Sequence, residues 1–470
     1  MNLIRAISPA RSADHAPLLR NAYALMANTV VTGLLGLAFW LLAARHYAVA
    51  DVGRATAAFA AMNMIANITA LSLIGAMARF IPRTGRGTGR LVRLGYGTAM
   101  LSAIAASFVF LAFAGRPGTS YSELSSIGAD AIFAACAAVW SLFTLQDGVL
   151  TGLRSAKWVT LENALFGLAK IIMLVPLAAV IPRTGLYVSW MVPAALAVPL
   201  VNLLIFGRLL PAHAARSDDS FRPGAREVGR YLAGDVPGAL LLLATLNVVP
   251  VLVASSVPPD RNAYFAMAWT IGITLDLLAV NMGLSLTVEG ASDPARLARR
   301  TRIALRRIIL ILVPAAAIVA AAAPLALGLF GPGYAEYGTT ILMLMAAAML
   351  PRSLTEIYLG AVRAQNRTGV VALVQGIRAV VILGLAFWLT RSMGIVGAGL
   401  AVLIGQTAVA AAVAPALLRI TSADRRVPAG NRAAAAAIVA GEPANGRALP
   451  AREPAGGPAG GTRGTRGAVR

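Results

Sequence analysis

Hydrophobic positions along this chain gather into runs of about twenty residues, and at about 1.5 Å of rise per residue each run is long enough to cross a bilayer as a helix. Twelve spans are predicted, over 21–44, 55–81, 94–114, 127–150, 158–181, 186–207, 231–256, 263–288, 308–330, 338–361, 369–389 and 394–418. The expected fold class is therefore an all-α polytopic membrane protein. The first run, Asn21 to Ala44, is too long for the core of a signal peptide and has no convincing cleavage site, so it is expected to stay in the membrane as the first helix. The longest central connection, 211–230, divides the spans six and six, giving an N-terminal half, 21–210, and a C-terminal half, 231–419. Because six is even, both halves enter the membrane the same way round. The expectation is two pseudo-symmetric six-helix halves related by an axis along the membrane normal, with a binding site between them. Beyond them, residues 420–470 are rich in Ala, Gly, Pro and Arg, and the apolar patch Ala433 to Ala440 is too short to span, so a disordered cytoplasmic tail is expected.

The charge pattern sets orientation. The chain has 470 residues, 58% hydrophobic and 13% charged, with mean hydropathy +0.74. Its 41 Lys and Arg against 19 Asp and Glu leave a formal charge of +22. Loops after even-numbered spans hold nineteen basic residues and loops after odd-numbered spans six, which places both termini, including residues 1–20, in the cytoplasm. The basic excess is thereby accounted for by topology, and nucleic acid is not an expected partner. The single cysteine, Cys136, rules out an internal disulfide. His15, His46 and His213 lie outside the spans in no metal-ligand pattern, so neither metal nor cofactor is expected. The glycine-rich GRGTGR at 85–90 follows a hydrophobic span instead of a strand and lacks the Gly-Lys-Ser/Thr of a P-loop.

Against this apolar background the buried charges carry the chemistry. The stretch 154–185 places Lys170 in the middle of a span, and a similar plan returns about 208 residues later at 363–394, with Arg378 in the corresponding place. A one-residue slip is needed to bring Gly167 onto Gly376. A charge at the centre of a membrane helix costs roughly 2.5–3.5 kcal/mol on insertion scales, so a repeated one points to a protein-lined polar cavity. Lys170 and Arg378 are the candidate contacts for an anionic guest, with Arg79 near the end of the second span as a third. The alternatives are a structural ion pair or hydrogen-bonded helix contact for the first two, and snorkelling to the interface for Arg79. Asp276 is the acid placed nearest mid-membrane; Asp147 and Glu356 lie nearer the span ends. These three are candidates for ion coupling or for pairing with the cations, and the i, i+4 spacing of Arg352 and Glu356 predicts that those two meet. Asn63 and Asn67, also i, i+4, are expected to join helices, as is Asn28. Prolines inside spans, such as Pro176, Pro193, Pro250 and Pro351, permit bending.

The segments RNAYALMANTVVTGLLGLAFWLLAARHYAVADVGR at 20–54, ARFIPRTG at 78–85, LTGLR at 150–154 and MLPRSLTEIYLGAVRAQNRTG at 349–369 resemble the polysaccharide-transporter branch, the Wzx-like oligosaccharide flippases, of the multidrug/oligosaccharidyl-lipid/polysaccharide exporter superfamily. The resemblance covers roughly residues 18–419 and rests on diffuse motifs, with no fixed catalytic set to carry over. It implies a transporter, not an enzyme: a flippase in the bacterial inner membrane that moves an undecaprenyl-pyrophosphate-linked oligosaccharide to the outer leaflet. Its implied partners are the anionic lipid-linked oligosaccharide, the bilayer, and the polymerase and glycosyltransferases of surface polysaccharide synthesis. Membrane cations of such flippases receive pyrophosphate or anionic sugars, a role that fits Lys170 and Arg378. Two other readings stay open. A cation-coupled multidrug exporter would need acids to dominate the cavity. A membrane glycosyltransferase or polymerase would need a cluster of carboxylates, nucleophile and base, which the short outward loops do not hold.

Overall fold

The computed structural model describes residues 32–114, 118–122, 127–216, 224–292 and 297–422. Among these residues there are twelve long helices and no strand. They are α1 (32–46, where its described part begins), α2 (Val49–Phe80), α3 (Thr88–Ala114), α4 (Ile127–Gly152), α5 (Ala156–Val180), α6 (Gly185–Leu204), α7 (Ala225–Ala254), α8 (Pro259–Ser292), α9 (Leu297–Gly328), α10 (Pro332–Ala364), α11 (Thr368–Met393) and α12 (Ile395–Ser422). One helix answers to each predicted span. Nine of them are long and apolar enough, within the described residues, to cross a membrane. The chain is a multi-pass membrane protein. Its outer surface agrees: Leu101, Phe113, Leu200, Leu203, Leu325 and Trp388 are exposed on the flanks of the bundle, where lipid is the solvent.

The helices outrun the apolar runs because their ends carry charge. α8 has 34 residues, about 50 Å at helical rise against a hydrocarbon core of about 30 Å, so its ends project into the headgroup layer. The same holds for α9, whose first three turns carry Arg299, Arg300, Arg302, Arg306 and Arg307. Prolines bend helices without ending them: Pro176 lies inside α5, Pro193 and Pro199 inside α6, Pro314 and Pro324 inside α9, and Pro351 inside α10. Past α6 the ring of Pro211 crowds the carbonyl four residues earlier and offers no N–H. The chain answers with a π-helical turn over Ile205–Leu209 before one more helical turn, Leu210–Ala214.

Burial shows the repeat position by position. Thr88, Val92, Ala99, Ala103, Ser107 and Ala114 form the buried face of α3; 209 positions later Leu297, Thr301, Ile308, Leu312, Ala316 and Ala323 form that of α9. On α5 and α11 the interval is 208, with Phe166, Gly167, Lys170 and Leu174 answered by Val374, Gln375, Arg378 and Ile382. The two buried cations therefore share a register, and Gly167 stands opposite Gln375 instead of Gly376. Packing repeats as well. α2, α3 and α4 pack on one another as α8, α9 and α10 do, and the halves meet where α2 lies against α7 and α8. Of the expected tail, residues 423–470 lie outside the described residues, as do residues 1–31 with Asn28.

Candidate functional site

Where the halves meet they enclose a cavity of about 340 Å³. Trp40 of α1, Phe59 of α2 and Trp190 of α6 line it from the first half, and Phe265 and Trp269 of α8 from the second. Two aromatic walls therefore face one another. The first is a continuous stack, with the Trp190 and Phe59 ring centroids 4.4 Å apart and Trp40 5.9 Å from Trp190. In the second, Phe265 and Trp269 stack at 5.4 Å. Polar groups come from Thr56, Asn63, Asn247, Asn262 and Thr270, and one cation, Arg352 of α10, reaches the cavity. Among the described residues no carboxylate lines it.

The asparagines join helices as expected. Trp140 Nε1 donates to Asn63 Oδ1 at 2.8 Å, and Asn67 Nδ2 donates to Asn247 Oδ1 at 3.0 Å across the halves. A smaller, largely apolar cavity of about 230 Å³ continues past that bond between α2 and α7, lined by Met64, Ile68, Leu243 and Val248 among others.

Both expected central cations are buried, and the structure does not bring them together on the cavity wall. Lys170, 6% exposed, holds its ammonium inside a ring of aromatics: 3.8 Å from the Trp190 centroid, 4.7 Å from Phe39 and 5.0 Å from Phe166. Phe166 reaches it because i and i+4 share a helix face; Phe39 and Trp190 arrive from α1 and α6. The electron-rich ring faces do the work of a counter-ion for a desolvated amine. Trp190 touches both Lys170 and the cavity: the ammonium lies over its ring, and the same side chain lines the cavity. The close approach of α1 to α5 that permits this depends on Gly167, where a Cβ would fall 2.7 Å from the Leu35 side chain.

Arg378, 1% exposed, donates Nη1 to Glu356 Oε1 at 3.1 Å. Glu356 also lies 3.9 Å from Arg352 and 4.0 Å from Arg363. The predicted Arg352–Glu356 pair thus forms, but the shorter bond goes to α11. One carboxylate ties three guanidinium groups, and Arg352 is the member that reaches the cavity. Arg79 is exposed in the last turn of α2, against Phe80. The side chain of Asp276 lies outside the described residues; its backbone is on α8. Asp147 of α4 accepts from Asn163 Nδ2 at 3.4 Å and is not on the cavity wall. Glu162, which sequence reasoning passed over, is 6% exposed on α5 beside Asn163, and among the described residues neither carboxylate oxygen has a hydrogen-bond partner. The signal for it was present: an acid one position from an asparagine on a span that carries the central lysine.

At one end of the bundle the halves are clasped. Asn262 Nδ2, at the start of α8, donates to the Gly53 carbonyl at 2.8 Å and to Thr56 Oγ1 at 3.1 Å. Arg45 Nε donates to the Leu329 carbonyl at 2.7 Å, and the Ser120 N–H to the Ala254 carbonyl at 3.1 Å. At Gly53 a Cβ would stand 1.6 Å from the Pro259 carbonyl oxygen, so only glycine lets α2 and α8 approach this closely. Every loop in this clasp follows an odd-numbered helix, and Thr56 and Asn262 of the clasp also line the cavity.

No family model matches the chain, and no curated protein sequence does. Solved structures do. An inward-facing multidrug resistance MATE family transporter of the MOP superfamily superposes with a TM-score of 0.66 at 15% identity, over 87% of this chain and 100% of that one. The fold is that of the MATE transporters. A MATE family transporter in an outward-facing conformation scores 0.56 at 15% identity, over 87% and 97% of the two chains. The lipid II flippase MurJ in an inward closed conformation scores 0.66 at 12% identity, over 85% and 90%. The superposition on the inward-facing example is closer than that on the outward-facing one.

Proposed function

We propose that this membrane protein is a flippase for an anionic lipid-linked oligosaccharide, of the undecaprenyl-pyrophosphate type, working by alternating access between its two halves. The observation that carries the reading is the composition of the central cavity: two aromatic walls, amide and hydroxyl groups between them, Arg352 at one side, and no carboxylate among the described lining residues. Sugar rings present C–H faces that stack on indole and phenyl groups, while their hydroxyls pair with Asn and Thr. Arg352 supplies the planar fork that grips a phosphate through two parallel bonds. The cavity, about 340 Å³, falls in the range of small-ligand sites, roughly 300–1,000 Å³. It would hold the first sugars and phosphate while the polyprenyl chain stays in lipid. Lys170 enters at a later stage: rotation of Trp190 would bring its ammonium to the cavity edge. The loop charges support an orientation with both termini in the cytoplasm and the clasp on the far side, and the resemblance to the oligosaccharide flippases implies a bacterial inner membrane. The solved flippase of the same fold supports a lipid-linked passenger.

A second reading has its own observation. Aromatic walls also hold organic cations, and Asp147 and Glu162 are buried acids in the first half. On that reading the protein is a cation-coupled multidrug exporter. Proteoliposomes separate the two. With a defined undecaprenyl-pyrophosphate oligosaccharide inside, wild type is expected to move it to the outer leaflet, and Arg352→Ala and Trp269→Ala to slow this at least about tenfold. No movement of the lipid, together with proton-driven uptake of an organic cation, would replace the flippase by the exporter.

A further inference from the structure

We infer that the first turns of α3 and α9 form two matching sites for the headgroups of anionic phospholipids. Arg90 and Arg93 are the third and sixth residues of α3; Arg299 and Arg302 are the third and sixth of α9, 209 positions later. All four are exposed. An i, i+3 pair lies on one face with Cβ atoms about 5–6 Å apart, a spacing that lets two guanidinium groups converge on one phosphate. Among the described residues none of the four meets a carboxylate. Arg302 spends one Nη2 proton on the Thr421 carbonyl at 2.7 Å, which fixes the side chain and leaves its other donors.

What lies along the same helices identifies the occupant. Leu94 and Leu101 on α3, and Ile303 and Leu310 on α9, stand at matching positions and are 60%, 66%, 40% and 64% exposed. A molecule held at either arginine pair thus has an anionic head in the interfacial layer and an apolar body running down a lipid-facing helix. The charge rule for loops is blind to helix face and register. Here both are kept: the same two turns and the same outward side, in two halves that share few other residues. α9 comes six helices after α3, an even number of crossings, so the two run the same way across the bilayer and the two sites open to one leaflet.

The test uses the full chain in nanodiscs or detergent, with phosphatidylglycerol and phosphatidylcholine as probes and retained lipid counted by native mass spectrometry. Wild type should keep up to two phosphatidylglycerol molecules in preference to phosphatidylcholine. R90Q/R93Q and R299Q/R302Q should each lose one, with affinity at the affected site falling about fivefold per arginine removed. The quadruple variant should lose both, the four Arg→Lys changes should retain much of the binding, and Arg391→Gln, on the opposite face, should change nothing. Equal retention of the two lipids by wild type, or undiminished phosphatidylglycerol on a quadruple variant with wild-type thermal stability, overturns the inference. If a double Gln variant fails to fold, the single changes decide: less phosphatidylglycerol on well-folded R93Q or R302Q than on Arg391→Gln supports the sites, and no difference refutes them. No lipid-linked saccharide is involved, so the outcome is independent of the flippase assay.

Discussion

At the scale of single residues, the same step of the repeat buries a cation in two different ways. Lys170 is held by ring faces, whereas Arg378 is held by Glu356. These holdings respond differently to substitution. Removing Glu356 strands buried guanidinium charge, an effect of about 3–5 kcal/mol. Glu356→Ala should therefore lower the thermal midpoint in detergent sharply, and the double change Glu356→Ala/Arg378→Met should recover part of the loss; strictly additive effects in the cycle would show that the two residues do not couple. Lys170→Met keeps the stem length and a soft contact with the rings. It should leave the midpoint within a few degrees while slowing translocation about tenfold, and full translocation activity would leave Lys170 with a packing role alone. The sequence was informative about Lys170 and Arg378 as buried charges, because both lie near the middle of apolar runs about twenty residues long, while Glu162, nearer the end of its run, was passed over. Their partners were less legible. Spacing of i, i+4 pointed Arg352 at Glu356, but a helix surface pattern contains nothing about the arginine that α11 brings from outside. The cage around Lys170 was hidden for a related reason: Trp and Phe inside a membrane span look the same facing lipid as facing a cation.

At the scale of elements, helix contacts in a bilayer depend on how closely backbones approach, since lipid tails remove the hydrophobic drive between helices. α8 and α10 approach backbone to backbone: a Cβ on Gly360 would fall 2.4 Å from the Gly283 carbonyl oxygen, and one on Gly283 would fall 2.7 Å from that of Glu356. Thr287 Oγ1 bonds both the Gly283 and Gly360 carbonyls, at 3.0 and 3.3 Å. A bulky residue must force the helices apart and loosen α10, which carries Arg352 and Glu356 together. Gly360→Leu should cut the yield of folded protein and broaden its thermal transition, while Gly369→Ala, where a Cβ meets nothing, should do neither. Equal behaviour of the two variants would show that the helix contact tolerates separation. The helices themselves were readable from the apolar runs, with most bounds within several residues of those observed, though α9 begins eleven residues before its predicted span. Helix ends were not, because the charged turns that extend α8 and α9 past the hydrocarbon have no hydropathy signal. The register of the repeat was readable too: the sequence put Lys170 opposite Arg378 and matched Gly167 to Gly376 only with a one-residue slip, and the buried faces keep the cation register.

At the scale of the whole molecule, alternating access needs a bond that breaks when the cavity changes sides, and the clasp at Asn262 fits that requirement. It joins α8 to α2 through the Gly53 carbonyl and Thr56, at the end where α2 and α8 are in backbone contact. Replacing Asn262 by Leu removes both of its hydrogen bonds to α2, about 0.5–1.5 kcal/mol each, while the Gly53 carbonyl keeps Thr56 Oγ1 as a donor, so the closed state loses about 1–3 kcal/mol. A two-state equilibrium then shifts toward opening on the clasp side by roughly 5–150-fold. Accessibility reads this directly. With Cys136 replaced by Ser, a single cysteine at Thr270 on the cavity wall should react slowly with an impermeant thiol reagent applied from the clasp side, and much faster once Asn262→Leu is added. Gly53→Ala should act in the same direction, since its Cβ cannot coexist with the Pro259 carbonyl. Reagent applied from the other side should show the opposite change, because opening one end of a rocking pair closes the other. Faster labelling from both sides would mean a loosened bundle, and unchanged labelling from both would mean that the clasp at Asn262 does not hold the halves in the conformation seen.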